Sequence, residues 1–250
     1  MLRPTVITVI LAAALWRCDA PRPLPAGRAH DADPISSYLA RTSLDGESCT
    51  RPDPARLSRP SLSDYTRSGK VISPYDDIMR YISLLEGQDW RLLSAIAYEE
   101  SRFHHGVVSV HGARGIMQIT PIVARQFGVD PATIDDPEVN IYLAARLLRH
   151  LGDKPQLVRG SSGRDRLCIL LAAYNAGVGH VVDARRLAAK LGYDPDSWED
   201  VALCLQRKSE PAYYEDEDVV SGRFTGYAST AAFVNSVISR YDRYCRLAEL

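Results

Sequence analysis

A mainly α-helical domain, carrying one small β-hairpin or irregular β element, is the fold predicted from residue 72 onward. Three observations lead there. Helix starts recur as a capping residue followed by proline, apolar residues repeat at helical spacing between them, and one glycine-rich stretch interrupts the pattern.

The proline-marked starts are Ser73-Pro74, Thr120-Pro121 and Asp136-Pro137. Proline suits the first helical position because the N–H it lacks would have no intrahelical partner there. The first start predicts a helix with Ile78, Tyr81, Ile82 and Leu85 on one face, closed by Gly87. The second predicts a helix reaching Phe127 and closed by Gly128, and the third a longer one ending near Leu151. Asp89 caps a helix over 90–101, and residues 167–174 are apolar almost all round, as a buried helix is. Ser197 opens a helix through Leu205, and the last helix, over 229–247, aligns Val234, Val237, Ile238, Tyr241 and Cys245. The interruption falls at 106–119, where Val107, Val108 and Val110 precede Gly112 and Gly115. Glycines so close together suit tight turns, so the hairpin or irregular loop is expected here.

The N-terminal part reads differently. Arg3 followed by an apolar run over 6–16 predicts an export signal over residues 1–17, too short to span a bilayer comfortably. Cys18 follows Leu15 at the spacing of a bacterial lipoprotein box and is the candidate lipidation site, which would anchor the chain to a membrane. Trp16 and Arg17 stand where such boxes carry small residues, so simple secretion and an uncleaved anchor stay open; cleavage after Ala20 is disfavoured by Pro21. Residues 18–71, rich in Pro, Arg, Ser and Asp without sustained periodicity, read as a tether and irregular lead-in, and 72–250 as the folded domain. With 30 basic and 31 acidic residues the formal net charge is −1, and no Lys/Arg run offers the concentrated basic face that nucleic acid demands. Nucleic acid is excluded as a partner, and a monomer is expected. Of the five cysteines, Cys49, Cys168, Cys204 and Cys245 remain beside Cys18, a number that permits disulfides in an oxidising compartment. Cys168 sits in the apolar run and reads as a buried thiol. No C-x-x-C or His-paired spacing suggests a metal.

One ionisable group stands out. Leu93, Ala97 and Glu100 follow at i, i+4 and i+7, so the Glu100 carboxylate continues a core-facing stripe. A carboxyl drawn out of water resists ionisation and can serve as a general acid near neutral pH. Periodicity alone leaves open that Glu100 is merely a helix-end carboxylate. Glu99, ~100° around the helix, reads as a solvated surface charge.

Three motifs narrow the choice: Ala95-Ile96-Ala97-Tyr98-Glu99-Glu100-Ser101, Gly112-Ala113-Arg114-Gly115-Ile116-Met117-Gln118-Ile119-Thr120-Pro121, and Ala172-Ala173-Tyr174-Asn175-Ala176-Gly177. Together, in this order and spacing, they resemble the soluble lytic transglycosylase family, which is goose-type-lysozyme-like. The text around them, such as Ser73-Pro74-Tyr75-Asp76 and Pro195-Asp196-Ser197-Trp198, is similar to the branch of membrane-bound lytic transglycosylase F. The resemblance covers roughly residues 72–246. It implies a lysozyme-like fold and an envelope enzyme, periplasmic and outer-membrane-anchored, acting on peptidoglycan strands of alternating N-acetylglucosamine and N-acetylmuramic acid, with no metal or organic cofactor. By position it implies Glu100 as the catalytic acid and Ser101 as a supporting hydroxyl. Gln118 is implied as a sugar-amide or structural contact and Met117 as lining the cleft. Tyr174 and Asn175 are implied to touch the catalytic carboxyl or the muramic acid; read without the family they are a core tyrosine and a helix-end asparagine.

The chain departs from the family in three ways. The stretch before Ser73 is too short for the solute-binding-type domain that precedes the catalytic one in that branch, so regulation through such a domain is not expected. Phe233-Val234 stands where relatives often place a tyrosine, whose hydrogen bond is then lost or supplied by Tyr227 or Tyr241. Residues 159–166 form a polar insert read as a surface loop.

The implied reaction uses one carboxyl twice: Glu100 donates a proton to the glycosidic oxygen, then withdraws one from the muramic 6-hydroxyl, which closes on the anomeric carbon to give a 1,6-anhydro end. Ordinary glycosidases need a second carboxylate. The motifs offer none, and Asp130, Asp135 and Asp136 sit at helix starts where caps are expected. A hydrolytic muramidase, which leaves reducing ends, and a catalytically silent wall-binding protein are the alternatives.

Overall fold

The computed structural model describes residues 71–161 and 163–248. The predicted signal, Cys18 and the tether lie outside the described residues. Among the described residues ten α-helices are formed: α1 (Asp76–Glu86), α2 (Trp90–Ser101), α3 (Pro121–Gln126), α4 (Pro137–Gly152), α5 (Pro155–Val158), α6 (Gly163–Ala176), α7 (Val178–Lys190), α8 (Trp198–Arg207), α9 (Pro211–Tyr214) and α10 (Tyr227–Ala248). Helix α2 is central: it packs against α1, α4 and α10, while α6 packs against α4, α7 and α10. Leu93, Ala95, Ile96 and Ala97 of α2 are fully buried. A large aliphatic side chain in such a place contributes ~1.5–3 kcal/mol to folding.

Capping chemistry sets the helix ends. Asp89 accepts from the Arg91 N–H at 2.9 Å at the start of α2. Thr120 accepts from Val123, and Asp136 from Glu138 and Val139. Helix α1 departs from expectation by opening at Asp76, whose carboxylate accepts from the Ile72 and Ser73 backbones and the Ser73 hydroxyl. Its buried side is Met79, Ile82, Ser83 and Glu86, leaving Tyr81 exposed.

The expected β element is not formed. Among the described residues there is no strand; residues 106–119 make only isolated antiparallel bridges, Val108 with Arg114 and Arg114 with Ile119. The reason is conformational. Gly112 and Gly115 (φ 78° each) and Gln118 (φ 50°) take left-handed backbone, which breaks the extended run every three residues. The predicted mainly helical character stands; the hairpin does not.

Helix α7 was not visible as an amphipathic pattern, because it buries His180, Asp183 and Arg185. Asp183 pairs with the buried Lys208 ammonium at 2.7 Å and accepts from the Val220 and Ser221 N–H groups, fastening the approach to α10. Arg185 donates to the Arg159 carbonyl and to Asp196, so the polar insert is tied down rather than a free surface loop, and from Gly163 it is already helical. Cys168 and Cys204 are buried free thiols and Cys245 a half-buried one, and burial pushes Cys168 up to about 11.

Candidate active site

The irregular segment 115–118 has no ladder to satisfy its backbone, so side chains from three helices do it. Ser101, the last residue of α2, donates its hydroxyl to the Ile116 carbonyl at 2.8 Å. Asn140 of α4, fully buried, accepts from the Met117 N–H at 2.7 Å and donates to the Arg114 and Ile134 carbonyls, each at 2.9 Å. Tyr174 of α6 donates its phenol to the Met117 carbonyl at 2.7 Å. Gln118 folds its amide back onto the Gly115 and Val107 carbonyls. Gly115 is required where it is: a Cβ would stand 2.5 Å from the Asn140 amide nitrogen.

Glu100 sits at the end of α2 beside this segment. It is half-buried, and its Oε2 is enclosed with no hydrogen-bond partner among the described residues. Burial, and secondarily the charge on Glu99, push its pKa up to about 8. Tyr174 is its electrostatic neighbour: burial, then the charge of Glu100, hold the phenol protonated well above its ordinary range. The Tyr174 ring stacks on Phe233 at 6.5 Å between centroids. Asn175 is buried; its carbonyl accepts from Thr230 at 2.8 Å, while its amide nitrogen is enclosed without a partner. The corner thus holds an enclosed carboxyl oxygen and an enclosed amide nitrogen that the protein itself leaves unmatched, which is unusual for buried polar atoms.

The sequence-derived residues converge on this corner with different duties. The Ser101 hydroxyl is spent on the backbone, and Met117 is fully buried in the core, its main chain rather than its side chain being what the corner uses. The Gln118 amide nitrogen serves the loop. Glu99 is not a solvated charge: its side chain is 6 % exposed and accepts from Arg240 Nε at 2.7 Å. Tyr241 cannot replace the missing family tyrosine, since its hydroxyl donates to Asp89 at the far end of α2, ~16 Å along the helix axis. Asp130 and Asp136 cap helix starts and Asp135 pairs with Arg114. Asn140 escaped sequence reasoning; a lone asparagine in a helix carries no spacing signal, and only a polar residue inside an apolar stripe hinted at it.

An end-of-helix carboxyl drawn out of water beside a buried phenol is a group able to donate a proton near neutral pH. Residues 78–196 match the family described as Transglycosylase SLT domain, and this region of the chain belongs to the soluble lytic transglycosylase family. Its relatives include membrane-bound lytic murein transglycosylase F of Maricaulis maris, 46% identical over 127 residues (50% of this chain, 27% of that protein). The protein of the same name from Pseudomonas fluorescens is 41% identical over 140 residues (56% and 28%). That from Mannheimia succiniciproducens is 32% identical over 211 residues (80% and 42%). The chain therefore spans between 27% and 42% of the length of these relatives. The solved 70 kDa soluble lytic transglycosylase of Escherichia coli aligns with a TM-score of 0.46 at 24% identity, over 69% of this chain and 24% of that one.

Because Asn140 satisfies three backbone groups at once, Asn140→Ala is expected to lower the unfolding free energy by about 3 kcal/mol. Urea denaturation checks this, and a loss below about 1 kcal/mol would mean that solvent takes over those bonds.

Proposed function

We propose that this chain is a peptidoglycan lytic transglycosylase that cleaves the β-1,4 bond from N-acetylmuramic acid to N-acetylglucosamine without water, leaving 1,6-anhydromuramic ends. The observation that carries this reading is the enclosure of the Glu100 carboxyl, whose Oε2 has no partner among the described residues; burial pushes it up to about 8, which makes it an acid at neutral pH with a proton for the leaving oxygen. Protonating that oxygen breaks the glycosidic bond and leaves positive charge on the muramic anomeric carbon. The substrate N-acetyl oxygen can hold that cation. Glu100, now ionised in poor solvation, takes the proton of the muramic 6-hydroxyl, whose oxygen bonds to the anomeric carbon. Glu100 ends protonated again, so the cycle closes with no second carboxylate.

The surroundings support this division of labour. Glu99, the carboxylate next in chain, is engaged by Arg240 and unavailable as a nucleophile or base. Ser101 and Tyr174 hold segment 115–118 beside the end of α2, and the enclosed Asn175 amide keeps a donor that no protein group among the described residues uses. The relatives' names supply the substrate class, murein, and the word membrane-bound. An envelope location, with lipid on Cys18 as the anchor, belongs to the same proposal. The mature N-terminus should then carry the mass of a diacylglyceryl-cysteine, and an unmodified Cys18 would remove the anchor.

Glu100→Gln keeps the shape and removes the titrating group, so release of fragments from purified sacculi should fall about 10²–10⁴-fold. In the parent protein the released fragments should carry anhydro ends, and the rate should decline as pH rises through about 8, where the acid form is lost. Reducing muramic ends alone would instead make the chain a hydrolase; an undiminished Glu100→Gln rate would remove Glu100 from the chemistry.

A further inference from the structure

A cavity of about 440 Å³ opens between the end of α2 and the outer face of α10. Its charged lining is Arg102, Arg240 and Arg243 with the single carboxylate Glu99; Ser236 and Ser239 add hydroxyls. Three guanidinium groups against one carboxylate leave an excess of two positive charges in a chain whose formal net charge is −1, so the basic character is local.

Two of the three guanidinium groups are held in place. Arg240 lies with its Cζ 3.4 Å from the centre of the Tyr98 ring and donates from Nε to Glu99. Arg102 has its Cζ 4.5 Å from the centre of the same ring and donates to the Tyr98 hydroxyl at 2.5 Å. Arg102 also sits in left-handed backbone (φ 56°) at the end of α2, a conformation uncommon for a side-chain-bearing residue, and it turns the chain there. Glu99 answers only Arg240, so Arg102 and Arg243 have no carboxylate partner among the described residues. Stacked, planar, fork-shaped donors of this kind match carboxylate or phosphate oxygens in pairs, and stacking lowers the entropy lost on binding.

We propose that this cavity is a subsite for the free carboxylates of the stem peptides that hang from muramic acid, so that the chain favours peptide-bearing over denuded glycan strands. The inference rests on the proposed function and deepens it. The reason to assign the cavity to the substrate is position: Glu99, which forms its wall, is the chain neighbour of Glu100 and lies near enough for its charge to act on that carboxyl. A stem peptide is joined to the lactyl group of the very sugar whose anomeric carbon reacts, so its carboxylates travel within reach of the bond being cut. A carbohydrate cleft needs no excess of positive charge; a string of carboxylates does.

The test compares the full-length parent with Arg102→Gln/Arg243→Gln and Arg102→Lys/Arg243→Lys, on glycan strands with intact stems and on the same strands stripped by an amidase. Loss of two charge-assisted contacts should lower the ratio of kcat/KM on stem-bearing to stripped strands by about tenfold in the Gln pair, chiefly through KM, and less in the Lys pair. In parallel, the free tetrapeptide L-Ala-γ-D-Glu-meso-diaminopimelyl-D-Ala, titrated into the parent, should shift the arginine Nε–H resonances that the Gln pair deletes. An unchanged ratio, or a titration that leaves those resonances in place, overturns the proposal. So does a titration in which inorganic phosphate or anionic lipid vesicles move them and the tetrapeptide does not. Should the parent cut neither strand, the proposed function fails, and the tetrapeptide titration still decides the cavity.

Discussion

Four backbone groups in an irregular segment need partners, and the way they find them organises the molecule. Segment 115–118 belongs to no helix and no sheet, so its carbonyl and N–H groups are met by Ser101, Asn140 and Tyr174 from α2, α4 and α6, and by the folded-back Gln118. Each is a buried bond whose loss would strand a polar group, at ~1–3 kcal/mol apiece. The helices cannot move apart without breaking several at once. This arrangement explains why residues spread over a third of the chain meet at one corner, and why that corner is rigid enough to hold a carboxyl in poor solvation.

Two adjacent glutamates then acquire opposite characters. On a helix they point ~100° apart. Glu99 meets Arg240, itself stacked on Tyr98, and stays matched by an opposite charge. Glu100 lies near a phenol that is donating elsewhere and has an enclosed oxygen with no donor among the described residues to meet it, so ionising it has little to recommend it. The negative charge next door adds to that reluctance. The chemistry proposed at Glu100 and the anion subsite proposed beyond Glu99 would use two faces of the same helix end.

Much of this was legible in the residues. The bounds of α2, the caps at Asp89, Thr120 and Asp136, and the nearness of Glu100 to Tyr174 all have local or motif-level signals. What was not legible depends on long-range pairing. The valines at 107–110 suggested strands, but left-handed backbone at Gly112, Gly115 and Gln118 leaves only isolated bridges. Helix α7 hid because its buried side carries His180, Asp183 and Arg185, matched by residues that come later or earlier in the chain, such as Lys208 and Arg159. Glu99 looked like a surface charge because its partner, Arg240, lies 141 positions away. Periodicity reports which face is inward; it does not report which polar group waits there.

The chemistry proposed here depends on the protonation state of one side chain, Glu100, which can be observed directly. Carbon-13 NMR of the protein labelled at glutamate side-chain carboxyls, with the Glu100 signal assigned by its disappearance in Glu100→Gln, follows its titration in the protein without substrate. A midpoint near pH 8 is expected, against 4.5 for an ordinary glutamate. A midpoint near that ordinary value would mean the corner does not shelter the acid, and the single-carboxyl mechanism would lose its foundation.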